Sequence, residues 1–132
     1  MTAPRDLKTH PVHLGRGARA LPQPAFTGRE WYDAYEKRTD ADGEEGRLVS
    51  VYEFTERWDS WEMHPAGDEV VVYLAGAITL IQEKPDGSFH SETLRPHEYA
   101  VNSAGTWHTA DVAEASTVLF ITPGVGTQHR PR

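Results

Sequence analysis

Glu62-Met63-His64-Pro65-Ala66-Gly67-Asp68-Glu69-Val70-Val71-Val72-Tyr73-Leu74-Ala75-Gly76 is the stretch whose reading decides the fold. Glu62 and His64 are two residues apart, so on a strand their side chains leave the same face and can converge on one point. Pro65 to Asp68 make a turn. Glu69 then opens a run, Val70 to Leu74, that is apolar at every position, which predicts a strand buried on both faces. A carboxylate entering such a run costs free energy unless it is paired or coordinated.

Outward from this stretch, strand-forming residues dominate. Strands are predicted over 47–55, 58–64, 69–75, 77–83, 88–94, 99–101, 106–112 and 116–122. Turn residues separate them at Gly76, Arg95-Pro96 and Ser103-Ala104-Gly105. Lys84-Pro85-Asp86-Gly87-Ser88 is the clearest hairpin, since Pro presets one turn position and Gly tolerates positive φ at another. Short, regularly punctuated strands indicate a sandwich, barrel or jelly roll and not βαβ units.

The N-terminal quarter differs. Pro4, Pro11, Pro22 and Pro24 exclude a regular helix from residues 1–26, which read as an extended arm lying along a neighbour. Thr27-Gly28-Arg29-Glu30 fits a capping box, and Trp31, Tyr32, Ala34 and Tyr35 gather on one face of a short helix over 27–38. The 47–122 segment forms the β domain, and 123–132 is a C-terminal tail in which Gly124-Val125-Gly126 supplies flexibility. With 132 residues, one domain is expected.

Composition narrows the chemistry. The chain has 20 acidic and 13 basic residues, a formal charge of -7, with no basic patch, so neither nucleic acid nor an anionic membrane surface is a natural partner. No cysteine is present, which removes disulfides, thiolate nucleophiles and cysteine zinc sites. Any metal would need nitrogen and oxygen ligands. The sequence shows no signal-peptide run and no apolar stretch near the roughly 20 residues of a membrane span, so a cytoplasmic location is expected. There is no serine-nucleophile arrangement and no phosphate loop. Asp111 lies on the opposite parity from His108, against a His–Asp pair.

The segments His64 to Gly76 and Ser103 to His108 resemble the two halves of the cupin signature, G-x5-H-x-H-x(3,4)-E-x6-G and G-x5-P-x-G-x2-H-x3-N. His64 matches the second His of the first half, Glu69 follows after the permitted four residues, and Gly76 after six more. Gly105 and His108 fall in register in the second half. Glu62 stands in place of the first His, Ser103 in place of Pro, His97 in place of Gly, and Val112 in place of Asn. The resemblance implies an all-β, cupin-type jelly-roll β-barrel, often dimeric, whose divalent metal is held by three His and one Glu. It carries His64, Glu69 and His108 over as metal ligands, and Glu62 as a substituted one.

Two imidazoles with one or two carboxylates suit Fe, Mn, Zn, Ni or Co. Glu62 has two candidate roles, as fourth ligand or as an unbound general base whose pKa burial raises. The plain alternative for His64 and His108 is hydrogen bonding in a barrel without metal, and for Glu69 a structural salt bridge. Trp58 shares the face of Glu62 and His64 and, with Tyr73, is the substrate-pocket candidate, whereas Trp61 and Met63 point away. His10, His13, His90, His97 and His129 lack ligand-like spacing and are expected to be solvated or hydrogen-bonded. The functional expectation is a small metal-dependent enzyme, dioxygenase-like, acting on a small organic substrate inside the barrel of a homodimer. The alternatives are a metal-independent isomerase or cyclase using Glu62 as base, or a non-catalytic ligand-binding and sensing barrel.

Overall fold

The computed structural model describes residues 3–132. Among the described residues nine strands run in chain order: β1 (Val12–Gly15), β2 (Arg19–Pro22), β3 (Arg47–Phe54), β4 (Ser60–Met63), β5 (Glu69–Glu83), β6 (Phe89–Leu94), β7 (Tyr99–Asn102), β8 (His108–Thr122) and β9 (Gln128–Pro131). An α-helix, α1 (Arg29–Thr39), followed by a short 3-10 segment (Asp40–Glu45), lies between β2 and β3. All pairings are antiparallel, and they make a jelly-roll β-barrel. β8 is the central strand. It pairs along its length with β5 and, on its other side, with β3 and then β4.

Where separate strands were expected at 69–75 and 77–83, the chain makes one long strand. Gly76 bends it without ending it: φ is 92°, and a Cβ there would lie 2.1 Å from the Ala115 carbonyl oxygen. Only glycine lets the two backbones pass so closely. Residues 106–112 and 116–122 likewise join as β8, because Glu114 still pairs with Ala77 across the bulged register. The 70–74 run is buried on one face only. Val71 and Tyr73 point inward at 2% and 0% exposure, while Leu74 is exposed.

Inside, Val71, Tyr73, Ile78, Leu94, Ala110, Val118 and Phe120 form the main apolar cluster, with Phe54, Trp58 and Val112 packed against it. The Lys84–Ser88 turn closes as read, with the Lys84 N–H donating to the Ser88 carbonyl and Gly87 at φ 84°.

Both ends of the chain are more structured than the sequence reading has them. Residues 1–26 are expected as an arm along a neighbour; residues 1 and 2 lie outside the described residues, and within 3–26 β1 and β2 form a hairpin that extends this chain's own sheet through β1 and β3. A second small core of Trp31, Tyr35 and Leu48, with Phe26 against it, lies under α1. No capping box forms. Gly28 occupies the N-cap position at φ 122°, without a side-chain cap. The 123–132 tail is also a correction: after a turn at Gly124–Thr127, β9 pairs with β4 from Ser60 to Met63.

Candidate metal centre

Three elements bring the ligand candidates together. β4 and β8 are in register at Glu62 and His108, so these side chains emerge side by side. His64 follows β4 directly, and its carbonyl accepts a hydrogen bond from the Gly105 N–H at 3.0 Å, which stitches the first motif to the second. Gly105 adopts φ 80° to make that turn. Glu69 opens β5 and faces inward at 2% exposure.

The resulting geometry is compact. Glu69 Oε2 lies 3.1 Å from His64 Nε2, and Glu69 Oε1 lies 3.3 Å from His108 Nε2. Glu62 Oε2 stands 3.9 Å from each of the same two nitrogens. Donor atoms of Glu62, His64 and His108 fall within 4.8 Å of one another. Metal–ligand bonds of about 2.1 Å at right angles place neighbouring donor atoms about 3 Å apart. The Glu69 distances match that spacing, and the Glu62 distances are wider.

The outer nitrogens decide the tautomers. His108 Nδ1 lies 3.1 Å from the Thr106 carbonyl, which can only accept, so Nδ1 carries the proton. His64 Nδ1 lies 2.8 Å from Thr127 Oγ1, whose own hydroxyl donates to the Gly124 carbonyl at 2.8 Å. That hydroxyl therefore accepts from His64. In both rings a neutral imidazole then turns an Nε2 lone pair inward, and both Nε2 atoms are buried without a well-directed hydrogen-bond partner. Such an arrangement is the ordinary support of a metal-ligating histidine.

Glu69 is the buried charge among them. Asn102 donates to its Oε1 at 3.0 Å and Thr122 to its Oε2 at 2.7 Å. Burial opposes ionisation of the carboxyl, but once the Nε2 atoms of His108 and His64 take up protons their hydrogen bonds and charges outweigh it and hold Glu69 well below the usual carboxylate range. Burial likewise opposes the His108 imidazolium, and the Glu69 carboxylate outweighs it, raising His108 above its usual value. The cluster can hold a proton, and its donor atoms could hold a cation in the proton's place.

Glu62 differs from the other three. Its side chain is 31% exposed, at the mouth and not in the interior, so the burial invoked for it is absent. Its Oε1 is held by His129 Nε2 at 3.1 Å. His129, expected to be solvated or hydrogen-bonded, is hydrogen-bonded from β9, and its partner is a residue of the site. His13 carries the same expectation and is hydrogen-bonded too. It is 1% exposed, bound through Nε2 to Asp42 at 2.7 Å and through Nδ1 to Tyr35 at 2.6 Å, and takes no part in the centre.

Trp58 faces inward, its ring 6.2 Å from that of His108, whereas Trp61 lies outside on Phe89 and under Arg130. The Trp58 indole N–H and the Tyr73 hydroxyl are both buried without a partner. Asp111 points away and binds Arg132 at 2.5 Å. The residues the sequence reading missed are Asn102, Thr122, Thr127 and His129. Only Thr122 carried a signal, as a polar residue continuing the inward parity of Val118 and Phe120.

Neither a protein-family model nor a curated protein matches the sequence. Solved structures do match in fold. The hydroquinone 1,2-dioxygenase of Sphingomonas sp. TTNP3 with 4-hydroxybenzoate bound is 14% identical, with 58% of each chain covered and a TM-score of 0.51. An oxalate oxidase in complex with the substrate analogue glycolate is 15% identical over 62% of this chain and 45% of that one, with a TM-score of 0.53. A mutant of Bacillus subtilis oxalate decarboxylase is 12% identical over 64% of this chain and 23% of that one, also at 0.53. This chain thus spans between 23% and 58% of the length of these three. The architecture they share with it is the cupin fold. Among the described residues no helix is long and apolar enough to cross a membrane.

Proposed function

We propose that this cupin-fold chain is a small metal-dependent enzyme that acts on an organic substrate inside the barrel. The observation that carries the reading is the pair of orphaned Nε2 atoms on His64 and His108, each with its Nδ1 proton fixed elsewhere and both beside the Glu69 carboxylate. His64, His108 and Glu69 would hold a divalent Fe, Mn, Zn, Ni or Co ion, with Glu62 as fourth ligand or as a base beside it. When bound, such an ion supplies Lewis acidity or, for a redox-active metal, oxidative chemistry.

The protein's own residues do the rest. Glu69 stays ionised and supplies charge, steered by Asn102 and Thr122. Thr106 and Thr127 hold the rings in one tautomer and orientation. Glu62, at the mouth and braced by His129, is placed to take a proton from a substrate entering past it. The two-histidine, one-carboxylate set and the fold shared with oxygen-using enzymes favour an oxidative, dioxygenase-type reaction. The second reading is proton-transfer chemistry, an isomerisation or cyclisation with Glu62 as base, and the wider 3.9 Å spacing of Glu62 favours it. We place the protein in the cytoplasm as a homodimer.

Elemental analysis of protein purified without added metal tests the reading, with His64→Ala and His108→Ala alongside. Stoichiometric metal lost in both variants is expected. An empty wild type that also fails to bind added metal would overturn it. Glu62→Gln then separates the two chemistries, since metal retained with activity lost marks Glu62 as the base.

A further inference from the structure

Alternate residues of β5 and β8 face the core, Val71 and Tyr73 on one strand and Val118 and Phe120 on the other. Their neighbours along each strand therefore face outward. The pairing register lines these neighbours up across the sheet. One row runs Val101, Val70, Ile121, Val49, Val12 and Pro22, from β7 through β5, β8, β3 and β1 to β2. The next runs Tyr99, Val72, Leu119 and Val51. No position in either row carries a charge, in a chain of which 25% is charged. At one end of the rows, on β7, Tyr99 and Val101 are 67% and 42% exposed. At the other end Leu7, His10, Val12, Pro22 and Val49 line an open groove of about 430 Å³. A contiguous apolar face of this kind marks a contact with another macromolecule.

Size, charge and geometry point to a second copy. A folded chain of 14.8 kDa is expected to expose about 7,000 Å². This one exposes 7954 Å². The excess, roughly 1,000 Å², is close to the roughly 800 Å² that each partner gives up in a standard interface. Copies of a chain with a formal charge of -7 repel one another, so they can meet only where no carboxylates are opposed, as on these rows. β7 and β1 each lie two strands from β8, about 10 Å to either side of it. A two-fold axis running along β8, between two facing sheets, therefore lays β7 of each copy over β1 of the other. The protruding end of one copy then meets the groove of its partner, twice over, which is the self-complementarity that a closed dimer requires.

Resting on the homodimer placement above, we infer that this outer face of the sheet is the interface between two copies of this chain, with Tyr99 and Val101 of each seated against the groove at Val12 of the other.

Mass by sedimentation equilibrium tests it, with circular dichroism and Tm as the check on folding. The wild-type chain is expected at twice 14.8 kDa. Tyr99→Ser removes an exposed side chain on which little of the fold rests, while Val101→Glu and Val12→Lys each place a charge in the contact. Each single variant is expected to weaken the dimer about 30-fold or more. Val101→Glu combined with Val12→Lys should recover most of that loss, because each new carboxylate faces the partner's new amine. Within one chain the two positions are four strands apart, about 19 Å, too far to compensate each other. A wild type that stays monomeric overturns the inference and the homodimer placement together, and leaves the face to a different macromolecule. A dimer that Tyr99→Ser and Val101→Glu leave unchanged keeps the homodimer and overturns this surface. Dissociation by the single variants without recovery in the double overturns the seating of β7 over β1.

Discussion

Thr127 and His64, 63 residues apart in the chain, meet at 2.8 Å, and the hydroxyl accepts the Nδ1 proton because its own hydrogen is committed to Gly124. The lone pair that faces Glu69 is thus set by a residue of the C-terminal turn. Thr127→Val keeps the shape and removes the acceptor. Metal affinity, measured by competition with a chelator, is expected to fall about tenfold or more with the fold intact.

The pairing of Glu69 with His108 makes metal-free protein pH-sensitive in both directions. Glu69 is depressed below 4.5, so its contribution is present above that value and is lost as pH falls through the depressed one. His108 is raised above 6.5, so its contribution is complete below that value and is lost as pH rises through the raised one. Thermal unfolding in chelator should show greatest stability between about pH 5 and 6.5, declining on either side. A divalent ion replaces the proton and should abolish the alkaline decline. A flat alkaline limb without metal would contradict the pairing.

Asn102 gives Glu69 a charge-assisted hydrogen bond and takes one from Gln82 at 2.7 Å. Asn102→Leu leaves a buried carboxylate short of one donor. A loss of about 2 kcal/mol is expected in urea unfolding of metal-free protein.

Gly76 is the most constrained backbone position in β5. Gly76→Ala adds a methyl group against the Ala115 carbonyl at positive φ, and a loss of about 3 kcal/mol or failure to fold is expected.

His97 holds φ 76° on an exposed turn, with its N–H on the Tyr73 carbonyl. This is the position where the cupin pattern places glycine, and the left-handed backbone explains why. His97→Gly should raise stability by up to about 1 kcal/mol, read as a higher Tm with unchanged metal content.

The legible part of the molecule is the part written in alternation and turn chemistry. Glu62, His64 and Trp58 share a face as their parity requires, and the Lys84–Ser88 hairpin closes on its Pro and Gly. Asp111 points away from His108 for the same reason. What stayed hidden depends on contacts distant in sequence. The hydrogen-bond partners of His13 cannot be named until helix α1 and the following turn bring Tyr35 and Asp42 onto it. His129 looks like tail until β9 finds the edge of β4. Gly76 reads as a strand end because local sequence cannot show the Ala115 carbonyl that demands it. Thr27 and Glu30 carry a capping signal, yet Gly28 sets the helix start.

Strand β9 gives the centre a timetable. The candidate ligands at 62, 64, 69 and 108 are synthesised before Thr127 and His129, so a growing chain holds its imidazoles with one ring unbraced and the mouth of the barrel uncovered. Metal captured during synthesis would meet a looser, less discriminating cluster than metal captured afterwards. On the metal-centred reading, only an ion chosen after β9 has docked meets the fully braced cluster.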